Sequence, residues 1–154
     1  MPFKIHVQTK QVALGGTTAR VVREAARAAL EHQGAPSPGE LTLVIAGDAV
    51  LRRLNREFLG RADATDVLSF PAAEAGHKGA RYLGDVAISL PRARAQAGAG
   101  GHPVNAELQL LVVHGVLHLL GHDHARPAEK ARMWKAQADI LRRLNAPILG
   151  PTNE

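Results

Sequence analysis

Between Pro103 and His124 the chain reads PVNAELQLLVVHGVLHLLGHDH, and the other elements have to be arranged around this stretch. Proline suits the first turn of a helix, where its missing N–H is not needed. From Leu110 to Leu120 every residue except His114, Gly115 and His118 is a branched aliphatic. A helix that is apolar all round is buried. The run is too short to cross a bilayer, which takes about 20 residues. Gly121 supplies the left-handed residue with which such a helix ends.

Upstream, Phe3, Ile5 and Val7 alternate with Lys4, His6 and Gln8, the pattern of a half-exposed strand. Gly15-Gly16 then breaks the chain, and Thr17 or Thr18 is expected to cap a helix running to about His32. Leu41–Ala46 (LTLVIA) reads as a second strand. Asp48 reads as the cap of a helix with Leu51, Leu54 and Phe58 on one face. Asp66–Phe70 and Tyr82–Leu90 are further strands, separated by an Ala- and Gly-rich loop, with Gly84 a bulge or a point of close approach. A short helix fits Pro91–Gly101. Pro127 opens a last amphipathic helix carrying Met133, Trp134, Ile140, Leu141 and Leu144. Strands come first and helices last, so the expected class is α+β, with helices covering a small mixed sheet. At 154 residues one domain, 1–154, accounts for the whole chain.

Composition narrows the chemistry. There is no Cys, which removes disulfides, thiol nucleophiles and Cys-based metal sites, and fits a reducing compartment. Met1–Lys10 alternates instead of forming an apolar block, so no secretory signal is expected. The net charge is +5, and most of the cations are Arg. Arg favours bidentate contact with phosphate, so a polyanionic partner such as RNA or DNA is one reading and ordinary solubility the other.

Five of the eight His fall between His102 and His124. His114 and His118 stand four apart on the buried helix, which puts both rings on one face, where a single metal can take both. Two uncompensated imidazoles in an apolar helix would be costly. Gly121 lets the chain turn back and present His124, with His122 the competing third ligand. Three neutral imidazoles leave a fourth position for a metal-bound water, the pattern of a catalytic zinc site. Asp123 fits a turn carboxylate or a partner for a ligating ring better than a ligand. The spacing from His114 to His124 resembles the metzincin arrangement, except that Gly115 stands where a zinc protease has its Glu base. Glycine moves no proton, so peptide hydrolysis in that manner is disfavoured. Gly115 either keeps the helix face open to a bulky phosphodiester or allows close packing on the sheet.

At these residues the chain resembles the YbeY family of bacterial endoribonucleases, also called rRNA maturation factors. His114–His124 matches the family pattern H-G-x-L-H-L-x-G-[YH]-D-H at every fixed position. Asp66–Pro71 after Thr65 is similar to its T-[DN]-V-L-S-F-P segment, and Leu83–Val86 to its L-G-D-[IV] strand; Leu54-Asn55 also fits. The resemblance implies an α+β, zincin-like metal hydrolase with a mixed sheet of about four strands, about five helices and the metal site at the end of a buried helix. It implies one zinc per chain on His114, His118 and His124, and action on RNA (rRNA and ribosomal particles) in rRNA maturation and ribosome quality control. A cytoplasmic protein with no membrane contact is expected. One departure stands out. Leu59 occupies the place of a family Arg, and Asp63-Ala64-Thr65 replaces a basic-Pro-Thr approach. Arg56 or Arg61 is the candidate substitute for phosphate contact, against the reading of a solvated helix face. Asp85 and Asp123 are candidate proton carriers, Asp85 also fitting a structural carboxylate at a strand edge. A ribosome-assembly factor with a mainly structural zinc, and a metal hydrolase of another phosphoester or of peptides, are the competing functions.

Overall fold

The second strand, β2 (Gly39–Ala46), is buried along its whole length, so both its faces must be covered. The computed structural model, which describes residues 2–61, 65–72 and 81–146, shows how. The elements run β1 (Phe3–Lys10), α1 (Gly16–His32), β2, α2 (Asp48–Leu59), β3 (Val67–Pro71), β4 (Arg81–Ser89), α3 (Leu90–Gly100), α4 (Val104–Leu119) and α5 (Pro127–Arg143). The four strands form one sheet in the order β1-β2-β4-β3. β1, β2 and β4 are parallel, and β3 runs antiparallel to β4 at one edge. Asp63, Ala64 and residues 73–80 of the expected loop lie outside the described residues.

Alternation along the strands assigns the two faces. Leu41, Leu43, Ile45, Val86 and Ile88 point into the main core, where they meet α1, α4 and α5. Val44, Ala46, Ala87 and Leu68 point the other way, onto Val50 and Leu51 of α2. Among the described residues the expected α+β class, the mixed sheet of four strands and the five helices are all present, with α4 buried at the centre.

The helix starts differ from the expected caps. α1 and α2 are preceded by Gly15 and Gly47, whose extended backbone serves as the cap without any side-chain bond. Thr18 instead donates to Oδ1 of Asn105 at 3.1 Å, tying α1 to α4. Asp48 sits inside the first turn of α2, accepting from Oγ of Ser89 at 2.7 Å. There it still complements the helix dipole, and it links α2 to the start of α3. Phe58, expected on the apolar face of α2, is 64% exposed and meets Phe70 edge-on, with ring centroids 5.5 Å apart.

Gly115 decides how closely α4 approaches the sheet. A Cβ there would lie 2.5 Å from Cγ1 of Val86 and 3.1 Å from Cγ2 of Val67. Its carbonyl accepts a 2.7 Å bond from Oγ of Ser69. The missing side chain therefore serves helix–sheet packing, and the open-face reading is set aside because strand side chains occupy that space.

Candidate metal centre

The last turn of α4 brings its ligands together through backbone geometry. His118 and Leu117 carbonyls accept from the N–H groups of Gly121 and His122, each at 3.0 Å. Gly121 has φ +102°, so the helix ends in the left-handed reversal expected of it. The chain then folds back, and the imidazoles of His114, His118 and His124 converge, with candidate ligand atoms within 4.8 Å of one another. Ring centroids lie 4.8 Å apart for His114–His118, 5.1 Å for His118–His124 and 5.9 Å for His114–His124. Among the described residues this group is purely imidazole. Such a donor set suits a borderline-soft ion such as zinc, and the separations would let one ion reach all three.

His122 faces elsewhere. Its Nε2 lies 2.6 Å from Oε1 of Gln33, at the end of α1. Burial, followed by the nearby Arg132 and His32 charges, pushes its pKa below the usual histidine value. Asp123 is exposed, and its carboxylate accepts from the backbone N–H of His124 at 2.7 Å, which makes it a turn residue.

Two residues of α5 complete the surroundings, and neither was singled out for this role from the sequence. Trp134 lies with its ring 5.7 Å from that of His114 and 5.8 Å from that of His124. Gln137 is buried, with Oε1 at 2.9 Å from Nδ1 of His114. A signal was present in the sequence: Gln137 falls between Met133 and Ile140 on the apolar stripe of α5, and a polar residue there needs a partner.

A cleft of about 640 Å³ opens on the α2 side of the sheet. Asp85 lines it and accepts a short hydrogen bond from the phenol of Tyr82. Strand alternation puts Asp85 on the face opposite to Val86, hence opposite to α4. Arg53 and Lys10 line the same cleft, whereas Arg56 and Arg61 are exposed and are not part of its wall. Ser69, on the edge strand β3, belongs both to the wall and to the contact with α4.

The Endoribonuclease YbeY family model matches residues 4–145. A protein of that name from Chloroflexus aurantiacus is 44% identical over 158 residues, covering 96% of this chain and 99% of the relative. Another from Solibacter usitatus is 53% identical over 101 residues, covering 63% of this chain and 65% of the relative. The solution structure of TM1509 from Thermotoga maritima shares the fold, with a TM-score of 0.55 at 19% identity over 90% of this chain and 91% of that one. A match this long, with the histidine motif folded into one cluster at the end of the central helix, means that the chain belongs to the endoribonuclease YbeY family.

Proposed function

We propose that the protein is a zinc-dependent endoribonuclease directed at single-stranded RNA, a single cytoplasmic domain that acts on rRNA and ribosomal particles in rRNA maturation and ribosome quality control. The observation that carries the reading is the convergence of His114, His118 and His124 in a chain of this family, with glycine and not a carboxylate after the first of them. His114 is buried, while His118 and His124 are half-buried, so one side of the group faces outward. Zinc held there would polarise a phosphoryl oxygen and lower the pKa of a water bound to it to about 7.

The remaining work falls to the chain. Arg56 and Arg61, and with them Arg53 and Lys10 in the cleft, supply cations for the RNA backbone where Leu59 offers none. β3 is an edge strand, so a single strand following the cleft can pass round it toward the end of α4. Asp123, beside His124, is the carboxylate proposed to move protons at the metal, whereas Asp85, engaged by Tyr82 on the opposite face of the sheet, fits the structural carboxylate at a strand edge. No helix among the described residues is long and apolar enough to cross a membrane.

The test is cleavage of single-stranded and structured rRNA by one preparation whose metal content is also measured. Zinc near one per chain, with chelator-sensitive cleavage of single strands, is expected, and His118→Ala should lose both. Zinc retained without cleavage would point to the assembly-factor alternative; robust proteolysis would overturn the RNA reading. Neutralising Arg56 and Arg61 together should flatten the salt dependence of RNA binding, by about 0.7 log–log units per lost phosphate contact. An unchanged slope makes them ordinary surface cations.

A further inference from the structure

Gln137 carries its amide into the core, where it is 1% exposed. Its Oε1 lies 2.9 Å from Nδ1 of His114, a ring that is itself only 5% exposed. An amide oxygen only accepts, so this contact puts the ring proton on Nδ1 and leaves the lone pair on Nε2. The other end of the amide is different: Nε2 of Gln137 is buried with no hydrogen-bond partner among the described residues. A buried donor left unpaired lowers stability. Methionine, of similar length, would fill the same space without that loss. The amide is therefore poorly explained by the fold alone, and its polar contact among the described residues is with His114.

We propose that Gln137 is a positioning residue of the metal centre, holding His114 in the Nδ1–H tautomer with the bare Nε2 ready for the ion. This rests on the metal reading of the three imidazoles given above. His118 and His124 are half-buried and reach solvent. His114 is enclosed, so the choice of tautomer has to be made by a neighbour. Trp134 bounds the same ring at 5.7 Å and limits its rotation. Together they preset one ligand in both proton position and orientation before the metal arrives, which is what partners of a ligating histidine do for affinity.

Wild type, Gln137→Met and Gln137→Glu, all prepared metal-free, test this. Ring-nitrogen NMR of His114 should show the Nδ1–H tautomer in the wild type and its loss in Gln137→Met. Competition against a chromophoric chelator should show zinc binding about 10–100-fold weaker in Gln137→Met. The metal-free Gln137→Met protein should melt close to wild type, because loss of the unpaired Nε2 donor offsets loss of the bond to Nδ1 of His114. Gln137→Glu still accepts from Nδ1–H and should restore zinc affinity to the wild-type value or tighter. An Nε2–H tautomer in the wild type, as a reversed amide would hold, overturns the proposal. So does wild-type zinc affinity in Gln137→Met. Wild-type protein that takes up no zinc in the same titration fails the metal reading itself, and the tautomer result tells the two failures apart.

Discussion

The phenol of Tyr82 donates to Asp85 and lies 2.7 Å from Oγ1 of Thr42, forming a small polar network on the cleft side of the sheet. The two residues stand three apart in β4, and a regular strand would send them to opposite faces. They meet because the register shifts: Tyr82 pairs with Glu40 and Gly84 with Leu41, so β4 carries one extra residue at that point. Gly84 has φ +138°, and a Cβ there would run into the carbonyl of Phe70, so no other residue fits. Burial, and then the bond to Asp85, push the Tyr82 pKa up to about 12. The folded protein thus keeps a proton that the unfolded chain releases near pH 10. This stabilisation is fully present below pH 10 and is lost as the pH rises through about 12. Tyr82 is the only tyrosine, so tyrosinate absorbance reads this group alone. The midpoint in folded protein should lie well above 10, and Asp85→Ala should lower it only part of the way, since burial is the larger cause. A midpoint of 10 in protein still folded by circular dichroism would contradict the network.

At the scale of elements, α4 and its contact with the sheet govern the centre of the molecule. Gly115→Ala gains about 1 kcal/mol of helix propensity. Against that, the new Cβ would sit 2.5 Å from Cγ1 of Val86, and crowding a packed core costs about 1–3 kcal/mol. The net expectation is a loss of about 1 kcal/mol, seen as a lower urea midpoint, with zinc content per folded chain unchanged. A gain in stability would mean that the strands yield freely. Much of this level was legible in the sequence, because period and punctuation act locally. The alternation of Phe3–Gln8, the apolar run of α4 and the break at Gly121 each correspond to an element or an end in the structure. The caps were not, since Thr18 and Asp48 had tertiary partners in Asn105 and Ser89 to satisfy instead. The choice between His122 and His124 was also a tertiary matter. Gln33, far away in sequence, engages one of them, and the spacing alone permits both.

At the scale of the whole molecule, the metal centre joins parts that the sheet does not. His114 and His118 belong to α4, His124 to the following turn, and Trp134 and Gln137 to α5. In the sequence the histidine spacing announced the ligands, whereas Gln137 stood out only as a polar residue on an apolar stripe and Trp134 as part of that stripe, because neither carries a metal-ligand signature. An ion bound to all three rings would hold the end of α4 and the turn together, and through His114 would act on α5 as well. The unfolded chain has no such preformed site, so binding favours the native state. Zinc at 100 times its dissociation constant would add about 2.7 kcal/mol. For a chain of this size about 1 kcal/mol moves the melting temperature by roughly 2–4 °C. Chelation of zinc-loaded protein should therefore lower the melting temperature by several degrees, and zinc should restore it. Trp134 is the only tryptophan and lies within 6 Å of two of the rings, 5.7 Å from one and 5.8 Å from the other, so its fluorescence should change in the same titration. His118→Ala should respond to neither chelator nor zinc by either measure. A wild-type protein whose melting and fluorescence ignore both reagents would show that the three histidines do not couple a metal to the fold.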